Sequence, residues 1–304
     1  MAVIATGFFD GVHLGHRQVL DTLVSCSREM GQEAVVITFQ QHPRMVLGQD
    51  ADSLRLLNSP EEKRALLLAA GVDRVEYVDF TPQFAALTTG GYLQMLKSEF
   101  GATAIVIGYD NRIGSDQLTP DDTARIARQT GILPVIVACS SSPLGTSADA
   151  GHPTAISSTQ IRRALEAGRI GEANAMLGYC YQLSGTVVHG NKIGRTLGYP
   201  TANMRLDYAL KQIPAGGVYL VQVHLGGQSH WGMTNIGMRP TVGGSALTVE
   251  THILDFSDDI YDRQISLGFV ERLRSEQRFP SLEELKNNLA ADESRCREIL
   301  NELQ

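Results

Sequence analysis

The chain has 304 residues, 43% of them hydrophobic and 19% charged, with a formal net charge of −7. That balance excludes a disordered chain, and the length suits about two domains of ordinary size. The acidic surplus excludes a general nucleic-acid binder, which needs a basic face; an acidic protein still holds anionic ligands through Mg²⁺, backbone N–H groups and a few placed Arg or Lys.

The first elements alternate strand and helix. Residues 2–5 read as a short strand; the apolar opening is brief, lacks a basic flank and stops at Asp10, which is not a signal peptide. Helical spacing over 16–30 puts Val19, Leu20, Leu23 and Val24 on one stripe. A buried-type strand is expected at 34–39. Ser59-Pro60-Glu61-Glu62 is a helix start, because Ser caps, Pro suits the first turn and acids favour the positive helix end. Further strands are expected at 74–78, 104–107 and 134–138. Thr119-Pro120-Asp121-Asp122 opens a helix running through 124–129. This α/β alternation implies a mostly parallel sheet covered on both faces, with ligands at the carboxyl ends of its strands.

Residues 140–155 are rich in Ser, Gly and Pro and read as a loop, followed by helices at 159–167 and 172–177 and a closing Gly178. The first domain is therefore assigned to 1–180 and the second to 181–304. Short β-rich runs at 183–188, 218–224, 230–235, 247–254 and 265–269 suggest a small antiparallel barrel or sandwich. A C-terminal helix starts at a capping box of Ser281 and Glu284. Its stripe of Leu282, Leu285, Leu289, Cys296, Ile299 and Leu303 is expected to pack on the barrel. The four cysteines, Cys26, Cys139, Cys180 and Cys296, form no Cys-x-x-Cys pair, so they read as core fillers in a reducing compartment. No apolar run approaches the length of a membrane helix. The expectation is a cytoplasmic monomer or weak homo-oligomer with small-molecule partners, no nucleic acid and no membrane.

Two glycine-punctuated segments carry the chemistry. Phe9-Asp10-Gly11-Val12-His13-Leu14-Gly15-His16 follows a strand and opens a helix. Helix N-termini attract phosphate, and two imidazoles three residues apart add donors for a polyphosphate. A His-x-x-His pair in a loop is by itself commonplace; the strand, the helix and the preceding Phe-Asp-Gly make it a site. Ile156-Ser157-Ser158-Thr159-Gln160-Ile161-Arg162 opens a second helix with hydroxyls and an Arg suited to phosphate, although alone it would be a plain Ser cap. The other segment runs from Gly185 to Asn203, where Gly185, Gly190, Gly194 and Gly198 space a loop able to lie over phosphates. Thr201 and Asn203 would point the same way in an extended strand and offer the oxygen ligands Mg²⁺ prefers. A β-hairpin turn with a capped loop is the plain alternative. On the strand 248–254, Glu250 and His252 share the face opposite Val249, Thr251 and Ile253, and a carboxylate there suits a hydroxyl proton.

His13-Leu14-Gly15-His16 with the Ile156–Thr159 cluster resembles the two signatures of the nucleotidyltransferase superfamily. With Thr38-Phe39-x-x-His42-Pro43, the first half resembles the adenylyltransferase part of bacterial bifunctional riboflavin kinase/FAD synthetases. The stretch from Gly185 to Asn203 resembles their flavokinase signature. So do Gly217-Val218-Tyr219, Asn235-Ile236-Gly237-x-Arg239-Pro240-Thr241, Val249-Glu250-Thr251-His252 and the segment from Phe269 to Glu276. The resemblance implies a Rossmann-like nucleotidyltransferase domain followed by a β-barrel kinase domain. It implies that riboflavin is phosphorylated to FMN and FMN adenylylated to FAD, both with Mg-ATP. His13 and His16 would act in adenylyl transfer, with ATP contacts from Gly7, Phe9, Gly15, Ser157, Ser158, Thr159 and Arg162. Glu250 would be the kinase base, with ATP held by Gly185, Gly190, Lys192, Gly194 and Arg195 and the metal by Thr201 and Asn203. Asp110, Asn235, Arg239 and Arg274 would face flavin. The chain departs from the family at Gln40-Gln41 and at Gly108-Tyr109-Asp110-Asn111-Arg112-Ile113-Gly114, which leaves open another acceptor for the first half. A flavin sensor without turnover is the alternative of a different class.

Overall fold

The computed structural model describes residues 1–46, 48, 54–138, 155–190, 193–241 and 244–302, with backbone alone at 193, 239–241 and 244–246. The expected loop at 140–155, Cys139, Lys192 and Leu303 thus fall wholly or mainly outside the described residues. By packing, the chain divides into two compact units, Met1–Ser158 and Thr159–Gln304.

The first unit runs β1 (Ala2–Thr6), α1 (Leu14–Met30), β2 (Glu33–Phe39), α2 (Pro43–Val46), α3 (Pro60–Ala69), β3 (Arg74–Val78), α4 (Pro82–Ala85), α5 (Thr89–Phe100), β4 (Ala102–Ile107), α6 (Pro120–Gln129) and β5 (Leu133–Ile136). All strand pairs are parallel, in the order β3-β2-β1-β4-β5. Strand order reverses beside β1, and the crevice such a reversal opens lies at the carboxyl ends of β1 and β4. Alternation sends Ile4, Val35 and Ile37 to one face against Leu93 and Leu96, and Val3, Ala5 and Val36 to the other against Leu20, Leu23 and Leu67. The helix starts follow their residues. Ser59 and Glu62 form a complete capping box on α3, and Thr119 accepts from Asp122 N on α6. Helix α1 begins at Leu14, two residues earlier than expected, because His13 itself is the cap.

The second unit contains α7 (Ser158–Glu166) beyond its first residue, α8 (Ile170–Leu177), β6 (Gln182–Val188), α9 (Ile193–Thr196), β7 (Ala202–Leu206), β8 (Gly217–Leu225), β9 (Gln228–Thr241), β10 (Gly244–Ile253), β11 (Gln264–Ser275) and α10 (Leu282–Glu302). The packing boundary lies earlier than the 180/181 boundary read from the sequence. The reason is local: Asn174 on α8 donates to Phe269 O and accepts from Tyr181 N, and Ala215 N donates to Leu165 O. Six antiparallel strands close a barrel, β10-β7-β6-β11-β8-β9. Closure leaves no free edge. Cys296 and Ile299 of α10 pack with Val218, Leu220, Met233 and Leu254 of the barrel. Leu282 departs from the expected stripe: it is 60% exposed, one residue past the Ser281 cap and above the packed surface.

Candidate functional site

In the first unit the turn after β1 is held tightly. Gly7 N donates to Ile37 O, and Phe9 and Val12 adopt left-handed φ values of 54° and 38°. Such values are rare for non-glycine residues and mark a functional turn. His13 caps α1 by accepting His16 N on Nδ1 at 3.3 Å, and the two imidazoles stack at 3.7 Å and 17°. A Cβ on Gly15 would press to 3.1 Å of His13 Nδ1, so glycine permits the stack. Phe9 meets His16 edge-on at 5.2 Å. Burial pushes the His13 imidazole down to about 4, and burial, then the His13 and Lys63 charges, hold His16 well below its ordinary value. Both rings are therefore neutral at pH 7. Because Nδ1 of His13 is an acceptor, its proton sits on Nε2, where it can be donated to a phosphate oxygen. Ser158 Oγ donates to Asp10 O at 2.9 Å, tying the start of α7 to the same turn; Ser157 beside it is half-buried. Thr159 and Arg162 belong to the second unit, where Arg162 Nη2 donates to Thr159 Oγ1 at 3.3 Å.

A cavity of about 480 Å³ adjoins this turn, lined by Thr6, Gly7, Phe8, Phe39, Pro43, Phe80, Phe84, Tyr92 and Asn111 among others. Phe39, Phe80, Phe84 and Tyr92 make an edge-to-face chain with centroids 5.1 to 5.6 Å apart. Such a wall suits a flat aromatic ligand. Tyr92 OH meets Thr6 Oγ1 at 2.6 Å, and Asn111 Nδ2 donates to Thr6 O at 3.0 Å. Asp110, the expected flavin contact, is exposed and outside the lining; its neighbour Asn111 turns inward instead. The aromatic chain was not visible in the sequence, since its members come from four separated segments without a period.

In the second unit the barrel register assembles the other site. Glu250 on β10 lies opposite Asn203 on β7 and opposite Asn235 on β9. Directly paired residues of antiparallel strands share a face about 5 Å apart, so Asn203, Glu250 and Asn235 form one row. Val249 and Thr251 are buried, as the alternation required. Glu250 and Asn235 line a cavity of about 260 Å³ together with Gly194, Thr201, His252, Arg274 and Glu276. A smaller cavity of about 90 Å³ holds Arg195, Pro200 and Tyr261 at its wall, and Thr201 lines both cavities. His252 Nδ1 lies 2.8 Å from Pro200 O, bracing the residue before Thr201. Arg274 enters the larger cavity with its guanidinium on both Asp292 oxygens, Nε at 2.9 and 3.1 Å and Nη2 at 2.7 Å.

The glycines divide into two kinds. A Cβ on Gly190 would collide with the Asn203 side chain, and one on Gly194 with Tyr199 O, so both permit a close turn around the row. Gly185 is a correction to the expected phosphate loop. It sits inside β6, paired with Leu206 and Ile265, and a Cβ there would meet Arg205 O and Met204. Glycine there lets the strands approach. Lys192 lies outside the described residues, as does the Arg239 side chain. Among the described residues no group of three or more His, Cys, Asp or Glu could hold a metal. Thr201 and Asn203 offer side-chain oxygens of the kind a hard cation takes.

A parallel sheet bearing a His-capped phosphate turn, and a barrel bearing a carboxylate between two amides, define a two-site nucleotide-dependent transferase. The chain belongs to the bifunctional riboflavin kinase/FMN adenylyltransferase family. Residues 1–147 match the FAD synthetase family model and residues 177–300 the riboflavin kinase model. A Listeria monocytogenes protein of the family's name is 35% identical over 99% of this chain and 93% of its own length. One from Escherichia coli K12 is 36% identical over 98% and 92%. A crystal structure from Streptococcus pneumoniae, described as a macrolide-efflux protein, shares the fold with a TM-score of 0.88 and 32% identity, covering 97% of this chain and 94% of that one. Among the described residues no helix is long and apolar enough to cross a membrane.

Proposed function

We infer that this chain makes FMN and FAD from riboflavin and ATP, with phosphorylation in the second unit and adenylylation in the first. The observation that carries it is the row Asn203–Glu250–Asn235, of which Glu250 and Asn235 line a cavity of about 260 Å³, on a chain that also carries the stacked, neutral His13–His16 pair. Glu250 takes the proton from the terminal ribityl hydroxyl as that oxygen attacks the γ-phosphorus and the bond to ADP breaks. Asn235 and Arg274, with Arg239 by family resemblance, orient the flavin. Gly190, Gly194 and Arg195, with Lys192 by the same resemblance, hold the nucleotide. Thr201 and Asn203 would hold Mg²⁺, which would offset phosphate charge when bound. In the first unit the FMN phosphate attacks the α-phosphorus and pyrophosphate leaves. His13 and His16 donate to the phosphate oxygens, and Gly7, Phe9, Gly15, Ser157 and Ser158 shape the turn beneath them. Thr159 and Arg162 join by resemblance, and Asp110 acts from the rim.

We assign adenylylation to 1–180 and phosphorylation to 181–304, a reading supported by family matches over 1–147 and 177–300, with α7 and α8 beside the barrel in packing. The scattered cysteines support reading the chain as cytoplasmic, and the net charge of −7 supports a monomer or weak homo-oligomer without nucleic acid or membrane partners. The test is incubation with riboflavin and Mg-ATP, resolving FMN, FAD, ADP and pyrophosphate by chromatography. Glu250→Gln is expected to abolish FMN formation while FMN supplied directly still becomes FAD. FMN without FAD from the unaltered chain would point to another acceptor for the first unit.

A further inference from the structure

Lys63 is a buried cation with no part in either reaction above. It lies on α3, 3% exposed, and is not among the residues lining the 480 Å³ cavity. Its Nζ donates to Phe8 O at 3.1 Å, Thr38 Oγ1 at 3.2 Å and Phe39 O at 2.9 Å. An ammonium has three protons, and these three acceptors take them all. Thr38 Oγ1 donates in turn to Phe8 O at 3.2 Å, closing the network. The Phe8 ring stands 4.0 Å from Nζ.

Phe8 lies just after β1 and Phe39 is the last residue of β2, and both line the cavity. Immediately after Phe8 come the left-handed Phe9 and Val12, which persist only where their surroundings hold them. Phe9 carries the edge of His16. An apolar side chain would fill the space beneath this turn without the cost of burying a charge, so a cation here points to a role beyond packing.

We propose that Lys63 is a positioning residue for adenylyl transfer: it clamps the Phe8 carbonyl to the end of β2 and so holds the turn that presents His13 and His16 beside the flavin-side cavity. The proposal rests on the assignment of adenylylation to the first unit. The electrostatics agree with the geometry. Burial pushes the Lys63 ammonium down to about 8 against the pull of Asp10, and the Lys63 charge is one of the causes keeping His16 neutral.

Full-length Lys63→Met and Lys63→Arg are assayed for FMN adenylylation, with riboflavin phosphorylation measured in the same preparations. Lys63→Met is expected to lower kcat for FAD formation by about 100-fold, the scale of a misplaced reacting group, with KM for ATP nearly constant and phosphorylation unchanged. Lys63→Arg, which restores a buried cation, is expected to recover about tenfold of that loss. An unaltered kcat in Lys63→Met overturns the clamp. So does a loss carried by KM that Arg does not recover. Should the Met chain fail to fold, Lys63→Gln removes the charge and, one atom shorter with two protons in place of three, cannot reach all three acceptors, so an unaltered kcat there overturns the clamp equally. Failure of the unaltered chain to make FAD from FMN would instead sink the assignment of the reaction, and the proposal with it.

Discussion

His13 and His16 show how burial selects the protonation state that a phosphate turn needs. The folded chain holds His13 at about 4, whereas the unfolded chain titrates it near 6.5. Between those values the unfolded state binds a proton that the folded state refuses, so stability is complete above 6.5 and is lost as pH falls toward 4. The shift corresponds to about 3 kcal/mol for His13, an upper figure for a side chain this buried. Urea unfolding of the first unit is expected to weaken steeply over that interval, and His13→Gln to flatten the dependence; an equal slope in both chains would contradict it. Lys63 acts in another window. Its folded value of about 8 lies below 10.5, so stability rises with pH between the two as the buried charge is relieved. Neutral imidazoles also imply that FAD formation shows no histidine step near 6.5 in its pH–rate profile, whereas a pronounced break there would mean that the charged ring is the active form.

Strand β7 sets the proposed kinase site by register, and one glycine permits that register. Asn203 sits opposite Glu250 and packs directly on Gly190, where any side chain would collide with its amide. Gly190→Ala is therefore expected to displace Asn203 and lower riboflavin phosphorylation by about 10- to 100-fold, while FMN adenylylation proceeds unchanged; equal phosphorylation rates would remove Asn203 from the site. This dependence on register explains what the sequence could and could not disclose. Helix starts were legible because capping is local chemistry, as at Ser59 and Glu62 or Thr119 and Asp122. The shared face of Glu250 and His252 was legible because strand alternation is local too. The neighbours of Glu250 were not, since Asn203 and Asn235 reach it from other strands at distances no period encodes. Gly185 misled for the converse reason: a glycine in a phosphate loop and a glycine where two strands crowd look alike until the Arg205 backbone is seen beside it. The cavity wall of Phe39, Phe80, Phe84 and Tyr92 belongs with the unreadable set, as does the hold of Asp292 on Arg274 across 18 residues.

At the scale of the molecule, each cavity is lined wholly by residues of one unit: Thr6 to Gln117 for the first, and residues from Val187 onward for the other two. Thr159 and Arg162, given to adenylylation by resemblance, lie in the second unit, whereas every other described site residue lies in the unit of its own reaction. The product of phosphorylation is also the acceptor of adenylylation, and FMN is a small, charged, soluble molecule that can travel between chains. Two defective proteins should then complement each other in solution. Glu250→Gln is expected to lose FMN formation, and His13→Ala to lose FAD formation by about 100-fold or more with its missing donor. Supplied with riboflavin and Mg-ATP, either alone yields little or no FAD. Mixed, they are expected to produce it after a lag that shortens as the His13→Ala chain is added in excess, because that chain sets the supply of free FMN. Chromatography over time reads both species. FAD formation without any lag or free FMN would mean that the intermediate passes without release. No FAD from the mixture, with each single activity intact, would mean that the two reactions require one and the same chain.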